Sequence, residues 1–150
     1  MLAPSARQRE SEAEELVSRE SFSLPAQLAS VPALRVMLGG ILAGFSRLDD
    51  VQVVAGEFAA NAVREYCDCC PRWPIDVGVE RGRAGVRLEV SHRCASTPEG
   101  HHWDEETRNA YTYGLALVRL AADQRGLYSW SEGAFPCRQT WWAQIDGIRP

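Results

Sequence analysis

Glu57 and Asn61 stand four residues apart in the run Gly-Glu-Phe-Ala-Ala-Asn-Ala-Val-Arg-Glu-Tyr, residues 56–66. On a helix that spacing sets both side chains on one face, a turn from each other. A carboxamide oxygen suits a hard cation such as Mg²⁺. A carboxylate one turn earlier can accept a proton or hold a metal-bound water. The same pair also suits a solvated polar stripe on an amphipathic helix, and spacing alone favours that plainer role. A second group of chemistry-bearing residues is Cys67, Cys69, Cys70 and Cys94, near His92, His101 and His102 in the chain. These types ligate zinc. However, Cys-x-Cys-Cys is not the spacing of a zinc knuckle and no second regular pair follows, so zinc is not expected. No Cys/His pair is fixed by local sequence, which leaves a cysteine nucleophile unsupported.

The bulk properties limit what these residues serve. A chain of 150 residues makes one domain, burying roughly two-thirds of its unfolded surface. With 45% apolar and 24% charged residues it reads as an ordinary globular protein. Every one of the 16 basic residues is arginine, so any phosphate contact must come from guanidinium groups or backbone amides. A net charge of −4 argues against nucleic acid as the main partner. No apolar run approaches the roughly 18 residues that span a membrane. Residues 1–20 carry Arg7, Arg9, Glu10, Glu12, Glu14 and Glu15 and lack the apolar core of a signal peptide. The expected location is the cytoplasm, where the five cysteines are free thiols or ligands rather than disulfides.

Residues 1–19 read as a polar, charge-rich tail, and residues 20–150 as the folded domain. Phe22 and Leu24 look like a short strand stopped by Pro25. Ser30 is suited to cap a helix whose first turn holds Pro32. Its apolar positions are Val31, Leu34, Leu38, Ile41 and Leu42, while Gly39 and Gly40 weaken its interior unless a neighbour packs closely there. A second helix, capped by Asp49 or Asp50, carries Val51, Val54, Ala55, Phe58, Ala62 and Val63 to about Tyr66. Ile75, Val77 and Val79, then Val86, Leu88 and Val90, alternate as a β-hairpin. Residues 92–110 have neither period and form a long connection. A third helix is predicted over Tyr113–Arg125, followed by strands at Leu127–Ser131 and Thr140–Ile145. On that last strand Trp141 and Trp142 must face opposite ways, one to the core and one to solvent or a partner. The order implies an α+β fold: a two-layer sandwich with a mixed, mostly antiparallel sheet and helices on one face.

Several of these landmarks, in order, resemble the small bacterial anti-sigma-factor serine kinases of the gyrase/histidine-kinase ATPase superfamily. Residues 56–66 resemble the family's Ser-Glu-Leu-x-x-Asn-Ala-x-x-His motif. Phe22-Ser23-Leu24-Pro25 resembles its opening strand, and Leu48-Asp49-Asp50 the start of its motif helix. Gly114-Leu115-Ala116-Leu117-Val118 resembles the glycine-leucine helix start that supports the phosphates. Thr140-Trp141-Trp142-Ala143 resembles the closing Thr-x-Trp-Ala strand. The resemblance covers about residues 20–146. It implies a histidine-kinase-like ATPase fold with ATP and Mg²⁺ held between helices and sheet. By the same resemblance Glu57 matches the base that acts on a serine of an anti-anti-sigma protein, and Asn61 matches the Mg²⁺ ligand. A sigma factor is bound by the same surface region and a homodimer interface.

The sequence departs from the family where adenine is recognised. The Asp-x-Gly-x-Gly run is replaced by His92-Arg93-Cys94-Ala95-Ser96, so His92 takes the place of the carboxylate that accepts from the adenine amino group. Losing such a bond costs roughly 1.5–3 kcal/mol. The second glycine motif keeps only Gly114, and Arg138-Gln139-Thr140 replaces Gly-Lys-Thr. ATP binding is therefore expected to be weak or absent. The leading expectation is a regulatory protein that binds a partner, such as a sigma factor or an anti-anti-sigma protein. One alternative is an active ATP-dependent serine kinase using Glu57 and Asn61. Another is a metal-binding or redox-sensing regulator on the same fold, which requires stoichiometric zinc or a function sensitive to Cys94→Ser. The loop around His101, His102, Trp103 and Asp104–Glu106 stands where the family has its ATP lid and reads as a candidate binding loop.

Overall fold

The computed structural model describes residues 16–65, 73–94, 104–131 and 137–147. Five strands and three helices lie within them, in the order β1 (Leu16–Leu24), α1 (Ser30–Ile41), α2 (Leu48–Glu65), β2 (Ile75–Gly82), β3 (Gly85–Cys94), α3 (Glu105–Ala121), β4 (Gln124–Ser131) and β5 (Cys137–Asp146). The strands form one sheet in the order β1-β2-β3-β5-β4. Every pairing is antiparallel, so the sheet expected to be mixed has no parallel pair among the described residues. The layers are those the sequence implied. No described helix is long and apolar enough to cross a membrane.

Alternation builds the sheet's inner face. Ile75, Val77 and Val79 on β2, Val86, Leu88 and Val90 on β3, and Trp141, Ala143 and Ile145 on β5 are all buried. Val90 pairs with Trp141, Leu88 with Ala143 and Val86 with Ile145, so one apolar surface runs across the central strands. Onto it α2 lays Val51, Val54, Ala55, Phe58 and Ala62, each at most 1% exposed. The 3.6-residue stripe and the two-residue alternation thus meet at one interface. Burying side chains of this kind contributes about 1.5–3 kcal/mol each, as an upper bound. Leu34 and Leu38 of α1, with Leu42 just beyond its end, extend the same core along the flank of α2. The hairpin between β2 and β3 depends on Gly85. A Cβ there would collide with the carbonyl of Ile145 and with Asp146 on β5.

Several element ends differ from expectation, each for a local reason. The strand β1 begins at Leu16, inside the stretch read as a tail, because its backbone pairs with β2 back to Gly82 whatever its side chains are. Ser30 does not cap α1: its hydroxyl donates to the carbonyl of Pro25 at 2.6 Å and is buried there. Asp49 and Asp50 sit inside the first turn of α2 rather than at its cap, where carboxylates still favour the positive helix end. Gly40 has open space where a Cβ would stand, so close packing does not explain it. The largest difference is α3, which starts at Glu105 within the predicted connection. Asp104 caps it, accepting from the Thr107 amide at 2.7 Å, with Glu105 and Glu106 in the first turn.

Candidate functional site

The helix α2 positions the candidate chemistry because its apolar stripe fixes its rotation against the sheet. Glu57 and Asn61 flank Phe58, whose ring packs against Trp141 at a centroid distance of 5.8 Å. Tyr111 of α3 meets the same indole edge-on at 6.2 Å. Glu57 is thereby drawn to the seam between α2 and α3. Glu57 is half-buried, and its carboxylate lies against Gly114, where a Cβ would overlap Glu57 Oε2. The resemblance gave Glu57 and Gly114 separate roles, and the fold brings them into contact.

Asn61 is wholly buried. Its Oδ1 accepts a hydrogen bond of 2.8 Å from Arg64 Nη1, one turn further along the helix. Its Nδ2 has no partner among the described residues, an unusual condition for a buried amide. Magnesium binding rests on hard oxygen donors. Here the carboxamide oxygen already accepts from a guanidinium, whose charge opposes the approach of a second cation. As arranged, Asn61 would offer a Mg²⁺ ion an oxygen that the Arg64 charge makes less favourable.

The other predicted residues are spread over both faces of the sheet and along α3. His92 is buried and lies on the helix-facing side of β3, two residues beyond Val90. Its cross-strand partner is Gln139, not the Thr140 that the sequence grouped with it. Thr140 instead pairs with Ser91, and their hydroxyl oxygens are 2.8 Å apart. Because alternate residues point to opposite faces, Thr140 and His92 occupy different sides of the sheet. Gly114 sits in the middle of α3 rather than at a helix N-terminus. Its amide belongs to the intrahelical ladder and is not an orphan donor for phosphate. Leu115 packs at the margin of the core. Cys67, Cys69, Cys70, His101, His102 and Trp103 lie outside the described residues. Among the described residues no group of three His, Cys, Asp or Glu side chains is placed to share a metal.

Two features carried no sequence signal that was read. On the outer sheet face Asp76 accepts from Ser23 Oγ at 2.6 Å and from Arg138 Nη2 at 2.8 Å, beside the Ser91–Thr140 pair. Only the register across β1, β2, β3 and β5 assembles that row. Trp142, on the same face, is overlaid by the Arg87 guanidinium at 4.7 Å from the ring centre, so it is the outward one of the two adjacent tryptophans. Arg64 was legible in principle, at i+3 from Asn61, yet it falls on an unassigned position of the family motif.

No family model matches the chain, and no curated protein matches it. Among solved structures it is similar to a chain of the SiaB–SiaC complex from Pseudomonas aeruginosa. The TM-score is 0.58 at 16% identity, covering 97% of this chain and 100% of that one. At that identity the likeness establishes a shared fold over nearly the whole length.

Proposed function

We propose that this chain is a regulatory protein that acts by binding a partner protein, on a fold resembling anti-sigma-factor kinases, with ATP binding weak or lost. The observation that carries this reading is the Arg64–Asn61 hydrogen bond, which sets a guanidinium charge against the oxygen matched to the magnesium ligand. Its other supports are the histidine at the adenine position and the displacement of Thr140 to the outer face. The mid-helix position of Gly114 adds to them. The fold shared with a chain from a two-protein complex agrees with a binding role. By resemblance the partner is a sigma factor or an anti-anti-sigma protein.

Two experiments test the reading. Affinity purification of the native protein is expected to bring down a stoichiometric protein partner. Calorimetric titration with Mg-ATP is expected to show no low-micromolar binding. The kinase alternative draws on Glu57 and Asn61 sharing one helix face. Transfer of radiolabelled phosphate to the captured partner, abolished by Asn61→Ala, would replace our reading with it.

A further inference from the structure

Between the C-terminal half of α3 and strand β4 the inner layer is incomplete. The helix α3 packs chiefly on α2, leaving a groove of about 600 Å³. Phe58, Leu115, Val118 and Trp141 give it apolar walls, and Arg119 and Arg125 stand at its rim. Both arginines are exposed, and neither forms an ion pair with a described residue. On a chain whose net charge is −4, a greasy groove edged by two cations with no described counter-charge is locally the opposite of the whole.

The strand bordering this groove is also an edge of the sheet. No described residue pairs with the outer side of β4. Edge strands usually carry proline, inward charges or a covering element to prevent further pairing. The other edge, β1, has Arg19 and Glu20, with Arg19 paired to Glu80. On β4 the one charge is Arg125, and Leu127 and Tyr128 are exposed at 46% and 44%. Leu127 pairs with the inward Trp141, so it extends the groove's apolar surface toward the strand edge.

We infer that β4 and this groove receive an extended segment of the partner protein. The segment adds as a sixth strand, with apolar side chains over Leu127 and carboxylates against Arg119 and Arg125. This rests on the partner-binding reading above. Strand addition supplies affinity through main-chain hydrogen bonds and specificity through alternate side chains. Charge selects an acidic segment over a second copy of this chain, because Gln124–Ser131 contains no carboxylate to meet the arginines.

The test uses the full chain and two capped peptides matched to the eight residues of β4, with threonine at every second position and, between, valine and glutamate in turn in one and valine and lysine in turn in the other, so that the groove-facing side carries both types. The glutamate peptide is expected to bind at least about tenfold more tightly, a difference of about 1.4 kcal/mol, and to protect β4 amides from exchange. Combined Arg119→Glu and Arg125→Glu should reverse the preference, and combined Arg119→Gln and Arg125→Gln should abolish it, since both positions are exposed and neither pair should unfold the protein. Equal binding of the two peptides, protection elsewhere than β4, or a preference that survives reversal would overturn the inference. So would self-association lost in Leu127→Arg. A native partner retained by the reversed-charge protein would sink this surface and leave partner binding standing. Failure to capture any partner with the unaltered protein would instead remove that reading.

Discussion

Gly114 shows how one missing methyl group holds a carboxylate in place. Replacing glycine by alanine inside a helix ordinarily stabilises by about 0.5–1 kcal/mol. At Gly114 the new Cβ would overlap Glu57 Oε2, the end of a side chain able to rotate away only by leaving the seam. Gly114→Ala is therefore expected to be close to neutral, with the usual gain of about 0.5–1 kcal/mol reappearing in a Glu57→Ala background. Denaturant unfolding of the four proteins in that cycle measures the coupling, and equal effects in both backgrounds would show that the carboxylate is not held there. At this scale Glu57 and Asn61 were legible because helical spacing alone puts them on one face. The state of Asn61 was not. Whether its oxygen faces a solvent cation or the guanidinium of Arg64 depends on how Arg64 folds back once α2 is packed, and no spacing rule specifies that.

The elements themselves were easiest to read where period and burial coincide. The stripe Val51 to Ala62 and the β2–β3 hairpin both emerge as expected, since each buries one face against one partner. Register across the sheet was harder. A shift of one residue exchanges faces, which is why Thr140 faces away from His92 despite their agreement in motif order. The start of α3 escaped for another reason: its first turns are polar and show little apolar periodicity, although Asp104 and Thr107 carried the cap. Hydrogen bonds from the Thr107 side chain and backbone, with help from the Arg108 charge, hold the Asp104 carboxyl below its ordinary value of 3.8. Since the folded value is lowered, the cap's contribution is present above the ordinary value and is lost as pH falls through the folded one. Protection of the Thr107 amide, followed by hydrogen exchange, is expected to drop on acidification in the native protein. In Asp104→Ala it should be weak at neutral pH with little further change. A Thr107 amide equally protected on both sides of that range would refute the cap's role.

At the scale of the whole molecule, one residue joins the two layers where their chain ends converge. Arg47, just before α2, donates from Nε to Asp50 at 2.9 Å, from Nη2 to the Ala121 carbonyl at 2.8 Å, and from Nη1 to Asp123 and the Asp146 carbonyl. It thereby ties the start of α2, the end of α3, the start of β4 and the end of β5. The Asp123 carboxylate also accepts from the Asp146 amide at 2.8 Å. Burial alone would lower the Arg47 pKa, but hydrogen bonds to Asp123 and Asp50 outweigh it and raise the value, so the residue stays cationic. Most of these partners are more than seventy residues away in sequence, beyond any local pattern. Arg47→Ala leaves two carbonyls and two carboxylates to find water, and is expected to cost about 2–4 kcal/mol by denaturant unfolding. A lysine presents one point donor in place of a planar fork. Arg47→Lys should therefore recover less than half of that loss, even though the charge is kept. Full recovery by lysine would mean that charge alone joins the layers, and a cost for alanine under about 1 kcal/mol would mean that the apolar core holds α3 to the sheet without this residue.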